Sequence, residues 1–179
     1  SHPEVVEEVA RQYVEAGSQI VLTNTFGGNR LSLGRFNLGD KAVAINTAGV
    51  EISKKAAGNR AAVFASIGPT GKMLLTKETT EAELQNAFEE QADAQARAGA
   101  DGIIIETMID VEEAKMAAIA AKQTGLPVIV SMVYDSGEDK DRTMMGNSPE
   151  EVVAELLDGL EEARRGRPVT DISDVDAGL

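Results

Sequence analysis

Three polar motifs follow three successive apolar runs of the chain, at the points where buried strands would end. They run from Thr23 to Phe26, from Gly68 to Gly71 and from Glu106 to Met108. Catalytic groups in parallel α/β proteins gather at the carboxyl ends of strands, so the motifs indicate one active-site rim. We therefore predict that the side chains at 24, 68–71 and 106 converge on a single pocket.

Glu106 is the most informative of these residues. It directly follows the apolar run Ile103 to Ile105, and an ionised carboxylate at the end of a buried strand is costly unless it is paired or hydrogen-bonded. Such a carboxylate could receive the ammonium group of a substrate, act as a base or hold a loop. Asn24 and Asp135 also follow apolar runs, but both residue types are common turn formers and indicate less.

The segment from Gly68 to Lys72 does not fit a Walker phosphate loop. That motif has four residues between its glycines and a Ser or Thr after the Lys, whereas here two residues intervene and Met73 follows Lys72. Two interpretations stay open: a plain turn at a strand end, or a turn that contacts substrate through its backbone N–H groups.

The composition limits the classes of function. The chain has 179 residues, no cysteine and one histidine, which excludes disulfides and thiolate metal sites formed within it. The histidine, His2, is expected to cap a helix. The formal net charge of −13 disfavours nucleic acid and membrane surfaces as partners, and no apolar run reaches the roughly 18 residues of a membrane span. We predict a cytoplasmic protein whose oligomeric state is open.

Apolar runs alternate with helical patterns along the chain. Predicted strands cover 20–22, 61–67, 102–105 and 128–133, and predicted helices begin near 3, 40, 80, 110 and 149. The helix starts carry the expected signals: Pro3, the capping pairs Thr80 with Glu83 and Asp110 with Glu113, and Ser148 before Pro149. The segment 27–34 is predicted to be a glycine-rich loop.

The predicted strands are continuous apolar runs rather than alternating ones. This pattern is typical of a parallel sheet that is covered on both faces. Strand–helix alternation with short connections gives right-handed βα units. Two α/β architectures fit these units: an open doubly wound sheet, or part of a (β/α)8 TIM barrel.

Four segments together resemble the homocysteine S-methyltransferase family, whose barrel occurs in cobalamin-dependent methionine synthase and in betaine–homocysteine methyltransferase. They are residues 21–30, 67–71, 105–108 with 112–114, and 144–151, and they follow the family's order. The resemblance implies a (β/α)8 TIM barrel of which this chain carries about strands 2–5. It divides the chain into a partial barrel domain, 1–160, and a polar C-terminal tail, 161–179.

The resemblance also implies an activity and a site. In the family, three cysteines bind zinc, which holds the sulfur of homocysteine as a thiolate that accepts a methyl group. The implied function is a zinc-dependent methyltransferase of methionine biosynthesis that acts on homocysteine and a methyl donor. The Glu matching Glu106 binds the amino group of homocysteine. The other matching positions expected to line the substrate site are Asn24, Thr25, Gly68, Pro69 and Thr70.

The sequence departs from the family pattern in two respects. The acidic, glycine-rich segment that follows the family's first strand is absent, and so is the region that carries the zinc ligands. We therefore predict an omitted stretch near 158–161, and a continuous helix from Glu155 to Arg165 would argue against it. A partial barrel leaves sheet edges and an apolar face open, so we expect a partner chain or the rest of the barrel to cover them.

Several alternatives stay open on the sequence alone. The chain could be a non-catalytic fragment without the metal, or another α/β barrel enzyme that uses Glu106 on a small amino-acid-like ligand. The methyl donor could be betaine, S-methylmethionine, a methylated corrinoid or a folate-linked system.

Overall fold

The computed structural model describes residues 2–165, in which strands and helices alternate. The strands are β1 (Ile20–Leu22), β2 (Ala62–Ile67), β3 (Gly102–Met108) and β4 (Val128–Met132). The helices are α1 (Pro3–Glu15), α2 (Arg30–Gly34), α3 (Ala42–Ala57), α4 (Glu81–Arg97), α5 (Val111–Lys122) and α6 (Pro149–Arg165), with a 3-10 turn at Gly39–Lys41 before α3.

The four strands form one parallel sheet in the order β1-β2-β3-β4. Each βα unit therefore adds its strand next to the previous one. A doubly wound sheet would instead reverse its strand order at a switch point, so the described residues have the strand order of a TIM barrel. The predicted parallel α/β fold is confirmed, and the barrel is not closed by these four strands.

The helices form a layer in which neighbours pack in chain order, α1 on α3, α3 on α4, α4 on α5 and α5 on α6. The core lies between this layer and the sheet, around Phe88, Ile67, Ile103 and Ile105. The three isoleucines are fully buried because every second residue of β2 and β3 points toward the helices, and Phe88 meets them from α4.

The prediction that the sheet is covered on both faces is wrong for the described residues. Ile20, Leu22 and Ile129 are 47%, 44% and 45% exposed, whereas Val21 between the first two is 4% exposed. Continuous apolar runs fit this arrangement because the second face of a barrel sheet is its interior, which four strands leave open.

Local signals account for most helix ends. Thr80 and Glu83 form the predicted capping box, and Ser148 and Glu151 exchange hydrogen bonds in the same way. His2 does not cap α1 through its side chain; its ring nitrogen Nδ1 hydrogen-bonds to the Glu4 carboxylate at 2.9 Å. The predicted loop at 27–34 contains α2, whose N-cap is Asn29.

Helix α6 crosses the predicted boundary at residue 160. It is continuous from Pro149 to Arg165, so it passes through 158–161 without interruption. Most of the predicted tail, 166–179, lies outside the described residues. Within residues 2–165 there is no helix with both the length and the apolarity to span a lipid bilayer.

Candidate functional site

The parallel strands bring the three polar motifs to one edge of the sheet. Asn24 follows β1, Gly68 follows β2 and Glu106 lies near the end of β3. The first two motifs also touch, because the Gly68 N–H donates to the carbonyl of Phe26 at 2.8 Å. We call this edge the rim.

Glu106 is held on the rim by a neighbouring strand. The Ser66 hydroxyl donates to Oε1 of Glu106 at 2.5 Å, and Ser66 itself is 1% exposed. Glu106 is half-buried. The carboxylate that the sequence marked as costly thus has a hydrogen-bond partner, and its position at the strand end still leaves it accessible.

The segment after β1 is tied to β2 through Ser66. The Thr25 hydroxyl donates to the Ser66 carbonyl at 2.7 Å, and the Ser66 N–H donates to Thr23 Oγ1 at 3.0 Å. Thr25 is only 2% exposed, whereas Asn24 between the two threonines is exposed on the rim. Of this pair of predicted site residues, Asn24 is open to a ligand and Thr25 supports the rim from within.

Behind the rim, two glutamines of α4 fill the space between the helices and the end of β2. Gln91 donates to the Thr25 carbonyl at 2.9 Å, and Gln95 donates to the Ser66 carbonyl at 3.1 Å. Both side chains are fully buried. Buried polar groups that are hydrogen-bonded in a network fix the position of what they contact, so α4 also holds the ends of β1 and β2.

The turn at 68–71 favours glycine at both of its ends. A Cβ on Gly68 would lie 2.5 Å from the Phe26 ring, and one on Gly71 would lie 2.0 Å from the Arg35 guanidinium. Gly71 also has a φ of +69°, which L residues adopt with strain. The turn is therefore fixed in shape by its neighbours.

Glu113 is a residue of the candidate site whose role sequence reasoning missed. It was expected to complete the cap of α5 with Asp110. Asp110 does accept from the Glu112 N–H at 2.9 Å, but Oε1 of Glu113 instead accepts from the N–H and the hydroxyl of Thr70, at 2.7 and 2.6 Å. The position of Glu113 inside the resembling segment 112–114 was the available signal.

The backbone carbonyl of Thr70 makes hydrogen bonds as well. Its carbonyl accepts hydrogen bonds from the Ser32 hydroxyl at 3.0 Å and from the Arg35 guanidinium. Thr70 is fully buried and Glu113 is 4% exposed. Burial raises the pKa of Glu113, and the hydrogen bonds from Thr70 oppose that rise only in part. Thr70, predicted to line the substrate site, lies inside the packing that shapes the turn.

The sequence model of the homocysteine S-methyltransferase family matches residues 1–166 of this chain. The chain belongs to the homocysteine S-methyltransferase family. Among its curated relatives, the methionine synthase of Mycobacterium leprae is 30% identical over 148 residues, covering 76% of this chain and 12% of the relative. The methionine synthase of Mycobacterium tuberculosis is 31% identical over 129 residues, covering 69% of this chain and 11% of the relative.

Solved structures agree on the fold of this family member. The oxidized form of the homocysteine methyltransferase MmuM from Escherichia coli superposes with a TM-score of 0.73 at 22% identity, covering 90% of this chain and 60% of MmuM. Its metallated form gives a TM-score of 0.73 at 21% identity, covering 88% of this chain and 60% of MmuM. The chain thus spans a little over half of MmuM and about a tenth of the methionine synthases.

The donor residues of this family member do not fit a zinc site. The chain contains no cysteine and one histidine, and His2 is at the start of α1, bound to Glu4. Within residues 2–165, no three His, Cys, Asp or Glu side chains are grouped closely enough to hold a metal ion. Structural and catalytic zinc sites use three or four such ligands, so the part of the chain that the structure describes does not form a zinc site by itself.

Proposed function

We propose that this chain carries the homocysteine-binding rim of a methyltransferase that moves a methyl group to the thiol of homocysteine. The observation that carries the proposal is the placement of Glu106. It lies at the rim of a family barrel fold, half-buried and fixed by Ser66 through one oxygen. Within residues 2–165, no N–H or hydroxyl donates to its other oxygen, Oε2, which matches the need for a bound ammonium group.

The role of this chain in the reaction is binding and orientation. In the family, zinc supplies the thiolate chemistry, and zinc here would have to be held by cysteines outside this sequence. What the described residues supply is a carboxylate for the amino group, a rim of fixed shape at 68–71 and the exposed amide of Asn24. Homocysteine and a methyl donor are the proposed partners.

A non-catalytic fragment is the second candidate, and the absence of cysteine from the sequence favours it. Both candidates share the homocysteine-binding rim and differ in whether zinc is ever present. Zinc analysis of the natural protein, purified without chelators, separates them, because a stoichiometric zinc held as in the family requires cysteines, which this sequence lacks. A third candidate, an enzyme that uses Glu106 on a different amino-acid-like ligand, predicts that homocysteine does not bind.

The first prediction compares homocysteine with 4-mercaptobutanoate, which lacks only the amino group. Isothermal titration under reducing conditions should give a homocysteine affinity that is higher by about tenfold or more, since a hydrogen bond to a charged partner is worth about 1.5–3 kcal/mol. Glu106→Gln should remove this preference. Glu162→Gln, on the exposed surface of α6, is the matched control and should retain it.

Equal affinities of the unaltered protein for the two thiols would contradict the proposal, because Glu106 would then not receive the amino group. Loss of the preference in Glu162→Gln as well would mean that net charge, rather than the carboxylate at 106, is responsible.

A further inference from the structure

The pairing of β3 with β4 is irregular next to Glu106. Ile105 pairs with Val130, and the next aligned pair is Met108 with Met132. The chain of β3 therefore advances three residues while β4 advances two, and pairing resumes with the Val133 N–H donating to the Met108 carbonyl at 2.8 Å. Glu106 and Thr107 together form a β-bulge, which is rare between parallel strands.

The bulge changes which side chains face the helices. In a regular strand, residues 103, 105 and 107 would share one face. Here Ile103, Ile105 and Met108 are all fully buried in the same core cluster. Thr107 is exposed instead. The extra residue thus keeps Met108 in the core and leaves Thr107 outside it, beside Glu106, which alternation already directs away from the helices.

The bulge is also strained. Thr107 has a φ of 64°, and a positive φ is a true outlier for a β-branched residue. Strained backbone persists where the surrounding structure imposes it, and it is concentrated at functional sites. A regular strand that is one residue shorter in this segment would avoid the strain and keep Met108 on the helix side.

We propose that the bulge at 106–107 is a positioning device for Glu106, with Thr107 as the positioning residue. Bulges bend a strand locally, increase its twist and re-aim side chains next to active sites. Alternation places Glu106 on the open face, and the bend and twist of this bulge set the direction of its carboxylate within that face, toward Ser66. The functional part of the inference rests on the proposed binding of an amino group by Glu106, whereas the conformational part does not.

Deletion of Thr107 tests this device with little disturbance elsewhere. The deletion makes Met108 the second residue after Ile105, so both strands advance two residues and Met108 stays on the helix side. The strained residue is removed at the same time. If the bulge serves Glu106 rather than the fold, the deletion variant should be more stable, with a thermal midpoint higher by roughly 2–4 °C. Its Glu106 carboxylate should, however, be wrongly aimed.

The binding measurement uses homocysteine and 4-mercaptobutanoate with the full chain. Deletion of Thr107 should lower the preference for homocysteine by about tenfold. Thr107→Gly is the matched control, because glycine adopts a positive φ without strain and keeps the bulge. It should retain the preference, and its thermal midpoint should exceed that of Thr107→Ala, which keeps the strain.

Each outcome decides the inference. A deletion variant with the original preference shows that the bulge does not position Glu106, and one that is less stable or unfolded shows that the bulge serves the fold; either result overturns it. If the unaltered protein has no preference between the two thiols, the proposed function fails. The thermal midpoint of the deletion variant then still decides whether the bulge is maintained against the stability of the fold.

Discussion

Glu106 and Glu113 are two carboxylates at the same end of the sheet, and their surroundings differ in an instructive way. Glu113 is 4% exposed and accepts both the N–H and the hydroxyl of Thr70 at a single oxygen. Glu106 is half-buried and accepts one hydroxyl, from Ser66. The first carboxylate is committed to the protein, and the second keeps capacity for a ligand.

The difference follows from where each residue enters the sheet edge. Glu113 lies in the first turn of α5, on the helix side, where the turn at 68–71 closes over it. Glu106 lies in the bulge of β3, on the side that the helices do not cover. A buried carboxylate that supports a loop and an accessible one that receives a cation need different degrees of desolvation, and the two sides of the rim supply them.

The largest expected effect comes from Glu113→Ala. The substitution leaves the N–H and hydroxyl of a fully buried Thr70 without their acceptor and also opens a cavity, so the free energy of unfolding should fall by about 3 kcal/mol. Urea unfolding measures the change. Glu112→Ala, at the exposed neighbouring position, is the control and should cost about 0.5 kcal/mol.

An equal loss in Glu112→Ala and Glu113→Ala would mean that both glutamates act only through the start of α5. The comparison of a committed with an available carboxylate would then be wrong.

The sequence predicts the fold well. It identifies the role of Glu106 but not that of Glu113. Strand and helix bounds follow from local signals, such as Pro3, the Thr80–Glu83 box and the apolar runs, and these are where the structure agrees most closely. Glu106 is identifiable because a charge directly after Ile105 needs a partner. The partner of Glu113 is not, because Thr70 lies 43 residues away and meets it only when β2 and β3 are side by side.

The bulge at Thr107 is beyond the sequence for a similar reason. It exists only in the register of β3 against β4, and residues 106–107 alone look like the loop after a strand. The short helix α2 was not predicted for a different, local reason. The glycines of 27–34 favoured a loop, although Asn29 three residues before Ser32 is a good N-cap arrangement, with the Ser32 N–H donating to the Asn29 side chain at 2.8 Å.

A smaller effect concerns the pH dependence of stability that arises from Glu113. Its pKa is raised above the ordinary 4.5 by burial, so between 4.5 and the raised value the folded state binds more protons than the unfolded state. The free energy contributed by this group is therefore complete below pH 4.5 and is lost as pH rises through the folded pKa. Glu113→Gln removes this dependence.

The measurement is the difference in unfolding free energy between the original protein and Glu113→Gln, taken by urea unfolding from pH 4 to pH 8. The difference should decrease as pH rises and then become constant. A difference that increases with pH would show that Thr70 stabilises the ionised form more than burial destabilises it, and Glu113 would then be an ordinary charged acceptor.

The smallest effect on stability, and the sharpest test of the available carboxylate, is Ser66→Ala. Glu106 is half-buried, so water can replace the lost hydroxyl and the free energy of unfolding should change by less than about 1 kcal/mol. The affinity for homocysteine should nevertheless fall by about threefold or more. Without the Ser66 hydroxyl the Glu106 carboxylate is free to rotate, and it loses that rotamer entropy when it binds the ligand. Calorimetry with homocysteine and 4-mercaptobutanoate measures this, and only the homocysteine affinity should change. A parallel loss for both thiols would place the effect of Ser66 in the shape of the rim, since the link from Ser66 through Glu106 to an amino group affects only the ligand that has one.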